Sequence, residues 1–143
     1  SSQSLVYETL FGEDMRLYAG ASHPLFAADH AALDWDALRA WPFAGLGYHS
    51  PNMELGHRER LPRKATGFDQ ESIATLILSG RYLGFLPDHY AEAFERRGHM
   101  RAIRPELFFY CCEFVSVLRR SPQPARAAQA FAQCLREAHG APS

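Results

Sequence analysis

The sequence predicts an α/β fold, and three observations carry that reading. Short apolar segments of strand length alternate with well-marked helix starts. Two of those starts pair a capping aspartate with a hydrophobic staple: Leu33 and Leu38 around Asp34, and Phe68 and Ile73 around Asp69. Leu107 to Leu118 is apolar at nearly every position, interrupted by Glu113 and Ser116, as expected for a strand buried on both faces.

Taken in order, Leu5 to Ala19 predicts an extended segment, a turn at Gly12-Glu13-Asp14, and a strand over Met15 to Ala19. Pro24 pushes His23 into extended geometry and ends any regular element there. Asp34 opens a short helix that Pro42 closes, and Pro42 to Tyr48 predicts a short strand. His49-Ser50-Pro51-Asn52 has the turn chemistry of a loop. Glu54 to Gly67 is polar and basic with Pro62 inside it, and predicts an exposed loop or an edge strand.

The next helix starts at Asp69. Ile73, Leu76 and Ile77 fall at helical spacing, and Gly80 suits the left-handed position that ends a helix. Arg81 to Leu86 predicts a strand. Pro87 then suits the first turn of a helix with Tyr90, Ala91 and Phe94 on one face, stopped by Gly98. A short strand over Met100 to Ile103 precedes the long apolar run. Ser121-Pro122 predicts the start of a last helix with Ala127, Phe131, Cys134, Leu135 and Ala138 on one stripe.

Length and composition exclude several classes. The chain has 143 residues, about one domain, and can bury roughly two-thirds of its unfolded surface without a disulfide or metal. Fifteen Lys+Arg stand against sixteen Asp+Glu, which lacks the basic excess needed to neutralise phosphates. A hydrophobic content of 47% is too high for disorder. No apolar run approaches the ~20 residues of a membrane helix, and no signal-peptide order opens the chain. Three cysteines, two of them adjacent, argue against a disulfide framework and for a reducing cytoplasm.

Chemical motifs are sparse. Seven histidines show no HExxH pair and no accompanying Cys-x2-Cys, so no metal is expected. Cys111 and Cys112 would point to opposite faces of a strand, and Cys134 sits on the helical stripe; all three read as core filler. Gly45-Leu46-Gly47 begins a dinucleotide loop but meets Ser50 and Pro51 where the third glycine belongs. There is no GxSxG, no phosphate loop and no nucleophile–base pair. Neither an enzyme activity nor a cofactor is expected.

The order of signals resembles one family. Met15-Arg16-Leu17-Tyr18-Ala19 followed by His23-Pro24-Leu25 resembles the strand and "HPL" turn of LysR-type transcriptional regulators. Leu33 to Pro42 is similar to that family's next helix, and Leu78-Ser79-Gly80-Arg81-Tyr82-Leu83-Gly84-Phe85-Leu86-Pro87 to its "GxGigfLP" segment. Gly98 to Ile103, and Arg119-Arg120-Ser121-Pro122 through Phe131, resemble its closing strand and helix. Each motif is weak alone; their order and spacing from Met15 onward are specific. The resemblance implies a type 2 periplasmic-binding-protein-like fold, with the second subdomain nearly complete and part of the first. It maps residues 21–106 to the second effector subdomain. Residues 1–20 and 107–143 become crossover strands and a remnant of the first. The family's winged helix-turn-helix, linker helix and opening first-subdomain elements are not found here, so the chain reads as a fragment. DNA binding is expected of the parent protein and not of this piece.

The resemblance also implies a small-molecule effector held in the cleft by helix N-termini and by loops after strands, where free N–H groups and the helix dipole attract polar ligands. On this sequence the effector-binding residues become Tyr48, His49 and Ser50 after one strand, Gln70 and Ser72 at the helix capped by Asp69, and Phe85 on the next strand. Core packing is the competing reading for Phe68 and Phe85, and a plain cap for Asp69. Glu71 either points away or selects against anions. The expected function is effector sensing that alters a DNA-bound assembly, with a solute-binding protein or an enzyme of the same fold as the alternative. Phe109, Cys111, Phe114, Val115, Val117, Phe131 and Leu135 would lack their usual cover, so self-association as a two-fold dimer is expected.

Overall fold

A computed structural model describes residues 5–119, with side chains described from 12 to 112. The chain divides into two compact units. Asp14–Tyr110 forms the larger, and the stretches on either side of it form the smaller. The elements are β1 (Leu5–Gly20), α1 (Trp35–Leu38), β2 (Phe43–Leu46), α2 (Pro51–Arg58), β3 (Arg63–Gly67), α3 (Gln70–Leu78), β4 (Leu83–Pro87), α4 (Asp88–Arg96), β5 (Met100–Ala102) and β6 (Phe109–Arg119). The strands form one sheet in the order β3-β2-β4-β1-β5, with β6 also pairing with β1. β2 runs parallel to β3 and β4. β1 is antiparallel to β4, with Met15 opposite Pro87 and Tyr18 opposite Gly84, and antiparallel to β5. The sheet is therefore mixed, with a parallel set at one side.

Strand alternation sends residues to two cores. Leu17, Ala19, Phe43, Leu83 and Phe85 face one side, where Leu25, Leu38, Leu55, Ile103 and Phe108 cover them. Tyr18, Ala44 and Leu86 face the other, under Ile73, Ala74 and Ile77 of α3 and Ala91 of α4. The helix starts behave as their sequences dictate. Asp34 Oδ1 accepts the Ala37 N–H at 2.8 Å, and Asp69 Oδ1 accepts the Ser72 N–H at 2.7 Å. Gly80 and Gly98 take the left-handed conformation after α3 and α4, with φ of 76° and 74°.

Four expectations are corrected. β1 continues through Gly12-Glu13-Asp14 with no turn. Gly12 serves close packing there, since a Cβ on it would stand 3.1 Å from Cys111 Sγ. His49–Asn52 does not continue as a loop: Ser50 caps α2, its Oγ accepting the Met53 N–H at 3.3 Å, and Pro51 takes the first helical position. The polar stretch that follows is thus helix first and edge strand β3 second. Phe68 makes no staple with Ile73; the residue is 68% exposed, and its ring edge stands where a Cβ on Gly47 would be. The described start of β6 is covered on one face only, because Tyr110 and Cys112 are half-buried while Phe109 and Cys111 are exposed; buried Phe108 stands just before the strand. The predicted last helix, and the side chains of Phe114, Val115, Val117, Phe131 and Leu135, lie outside the described residues. Among the described residues no helix is long and apolar enough to cross a membrane.

Candidate functional site

The candidate site lies at the C-terminal ends of the adjacent parallel strands β2 and β3, where an α/β fold leaves its ligand-binding loops. The two exits are tied together: Gly47 N–H donates to Gly67 O at 2.9 Å. Each exit leads directly into a helix N-terminus, through Tyr48-His49-Ser50 to α2 and through Phe68-Asp69 to α3.

Tyr48 is 48% exposed and Phe68 more so, leaving two aromatic rings open to solvent beside the strand ends. An exposed pair of rings forgoes the burial such side chains normally gain, and offers flat apolar surface to a ligand. Ser50 is fixed twice, its hydroxyl donating to Tyr48 O at 3.1 Å while its oxygen caps α2. His49 Nε2 stands 3.3 Å from Glu54 Oε1. Gln70 and Ser72 are exposed on the first turn of α3. The backbone N–H and hydroxyl of Ser72 both hold the Asp69 carboxyl below the usual carboxylate range, so that cap stays ionised.

Five of the six residues expected from sequence therefore gather at two neighbouring exits: Tyr48, His49 and Ser50 on one, Gln70 and Ser72 on the other. Phe85 does not join them. It is 2% exposed and packs edge-on against Phe43 and Tyr110, with centroid distances of 5.9 and 5.2 Å. The alternation of β4 explains this, because Phe85 shares the inward face with Leu83.

Two further residues belong to the neighbourhood and were not singled out from sequence. Asn52 is buried; its Oδ1 accepts the Leu46 N–H at 2.9 Å and its Nδ2 donates to Tyr110 Oη at 3.2 Å. It clamps the end of β2 to α2, and only the Ser50-Pro51 helix-start signature could have pointed to it. Tyr90, in α4, has its phenol pKa raised by burial and then by the charges of Glu71 and Asp69, which places it within electrostatic reach of the α3 terminus. Among the described residues no group of His, Cys, Asp and Glu side chains could hold a metal ion. The arrangement offers hydrogen bonds, aromatic faces and net negative charge.

Comparison with known proteins agrees with this architecture. A family model described as the LysR substrate binding domain matches residues 1–140. The HTH-type transcriptional activator BauR of Pseudomonas aeruginosa is 29% identical over 131 residues, which covers 92% of this chain and 43% of BauR. The chain thus spans less than half the length of that relative. The regulatory domain of CrgA, a LysR-type transcriptional regulator from Neisseria meningitidis, superposes with a TM-score of 0.71 at 19% identity, over 98% of this chain and 71% of that one. Full-length LysG from Corynebacterium glutamicum, with its effector Arg bound, gives a TM-score of 0.73 at 15% identity, over 95% of this chain and 47% of that one. At such identities the solved structures show the shared fold.

Proposed function

The chain belongs to the LysR substrate-binding domain family, and from that premise we propose that it is the effector-sensing region of a transcriptional regulator, binding a small molecule at the exits of β2 and β3. The observation that carries this reading is the convergence there of two capped helix N-termini with the exposed rings of Tyr48 and Phe68. Tyr48 and Phe68 supply apolar faces. Tyr48, Ser50, Gln70 and Ser72 supply hydrogen-bonding groups, and His49 a titratable one. Phe85 supports the strand end from within the core.

Asp69 and Glu71 at the α3 terminus disfavour a ligand that is only anionic there, and Glu54 adds to that field from α2. The fitting effector is a polar molecule carrying a neutral or cationic group toward α3. Binding shifts the population of the parent regulator's assembled states by its differential affinity for them, and that parent, rather than this chain, contacts DNA.

The test is a dose–response of the intact regulator toward its inducer with Tyr48→Ala and Ser72→Ala combined. Removing two polar partners and one ring face is expected to move the response to about tenfold higher inducer or more, with an unchanged melting temperature. A superimposable dose–response curve refutes the assignment.

A further inference from the structure

A second feature lies under α2, next to the strand-end site. A cavity of about 270 Å³ opens between that helix and the β2–β3 edge of the sheet. Its apolar lining comes from Phe43, Met53 and Leu61, and its polar rim from His57 and Arg63. The space exists because two positions have no side chain. Arg63 lays its stem across Gly45, where a Cβ would come within 2.9 Å of Arg63 Cδ. Gly56 sits inside α2 and would place a Cβ 3.6 Å from the Phe43 ring, an ordinary contact. A methyl group therefore fits at Gly56. A glycine inside a helix is destabilising relative to alanine, and here no crowding calls for it. What Gly56 preserves is the void.

The rim is cationic. Arg63 Nη1 donates to Leu46 O at 3.0 Å, which fixes the guanidinium beside the opening. Among the described residues Arg63 has no carboxylate partner, and the cavity lining contains no acid. Asn52 closes one end with its amide already engaged to Leu46 and Tyr110. An arginine fork with free donors recognises carboxylates in particular. The volume exceeds the ~150 Å³ apolar cavity that accepts benzene and falls just below the ~300 Å³ at which drug-sized pockets begin.

We propose that this cavity is a second ligand site for a small monocarboxylate with a compact apolar body, the carboxylate on Arg63 and the hydrocarbon against Phe43, Met53 and Leu61. Leu46 and Asn52 adjoin both sites, but the ligand groups differ: Arg63 with no carboxylate in this lining, against Asp69 and Glu71 at the strand-end site.

Isovalerate titrated into the isotope-labelled 143-residue chain, followed by backbone amide NMR, tests the proposal, with neutral isovaleramide as the comparison ligand. The expected result is saturable shifts centred on Gly56, His57 and Arg63, and weaker binding of isovaleramide. Arg63→Gln should weaken isovalerate by about tenfold or more. Gly56→Ala should raise the melting temperature while weakening binding. Any of four results overturns the proposal: no saturable shifts, shifts centred on Tyr48, Gln70 and Ser72 instead, equal binding of the neutral amide, or a Gly56→Ala chain that melts lower than the parent.

Discussion

The two faces of the sheet are covered in different ways. One lies under α3 and α4, whose side chains enter the core at helical spacing and whose polar groups bond locally: Thr75 Oγ1 donates to Glu71 O at 3.0 Å and Ser79 Oγ to Leu76 O at 2.6 Å. The other is covered largely by irregular chain from Ala21 to Trp41 and from Ile103 to Phe108, with only the single turn of α1 and the two turns of α2. Its backbone carbonyls cannot be satisfied by a ladder, so side chains distant in sequence do that work. Arg101 donates to Phe26 O at 2.7 Å and Ala28 O at 3.2 Å, Arg104 to Leu33 O at 2.6 Å, and Arg39 to Glu59 O at 2.9 Å. Two buried histidines complete it. His23 Nδ1 accepts the Leu25 N–H at 3.0 Å, and His30 Nε2 bonds Leu25 O at 2.6 Å. A helical layer distributes its stability over many small local terms, whereas an irregular layer concentrates it in a few long-range ones.

That contrast sets an order of expected effects. The largest is Phe108→Ala, which empties a fully buried position and removes the edge contact with Trp35 at 4.9 Å. Urea unfolding should show a loss of about 3–5 kcal/mol, and a loss below ~1 kcal/mol would mean the irregular face can collapse around the gap. Next is acidification. Burial lowers the His23 pKa from its ordinary 6.5, so the native state keeps the ring neutral with Nδ1 free to accept from Leu25. The stability this contributes is complete above 6.5 and is lost as pH falls through that value toward the lowered native one. Between neutral and mildly acidic buffer the loss should be on the order of 1 kcal/mol. His23→Ala should flatten that pH dependence while lowering stability throughout; an unchanged slope in the variant would assign the acid sensitivity elsewhere. The smallest effect belongs to the helical face, where Ile77→Val should lose about 0.5–1.5 kcal/mol with the parent's pH dependence intact. A larger loss than from Phe108→Ala would invert the comparison.

The same contrast explains what could be read from the sequence. The helical face announces itself through Asp69, Ile73, Ile77, Gly80, Pro87 and Gly98, because caps, spacing and stops are local chemistry. The irregular face depends on partners about seventy residues apart, as Arg101 and Arg104 are from the Phe26–Leu33 stretch, and nothing local marks them. The buried hydrogen bonds of His23 and His30 to Leu25 carry no spacing signal either. α2 was hidden differently. Only Asn52 and Leu55 are buried on it, so it shows no apolar stripe, and its Ser50-Pro51 start was the sole signal. Within the candidate site, Tyr48, His49, Ser50, Gln70 and Ser72 came from the family resemblance, which implied loops after strands and helix N-termini, and the structure puts them at two neighbouring strand exits. Phe85 was misplaced because β4 is buried at every position: one step along it exchanges one core for the other, and a strand covered on both faces shows no alternation to reveal that its ring is enclosed.

β3 forms the outer edge of the sheet on its side, and such an edge invites pairing with the edge of another molecule. Its residues make that pairing unfavourable. Pro62, just before the strand, has no N–H to offer, and Arg63 and Lys64 then present two exposed cations in succession. Two copies meeting edge to edge would oppose four positive charges across one ladder. These charges oppose growth into fibrils along this edge. Since the guard is made of exposed charge, concentrated salt weakens it by screening. Replacing the two cations with threonine would leave a short, strand-favouring edge open to runaway association.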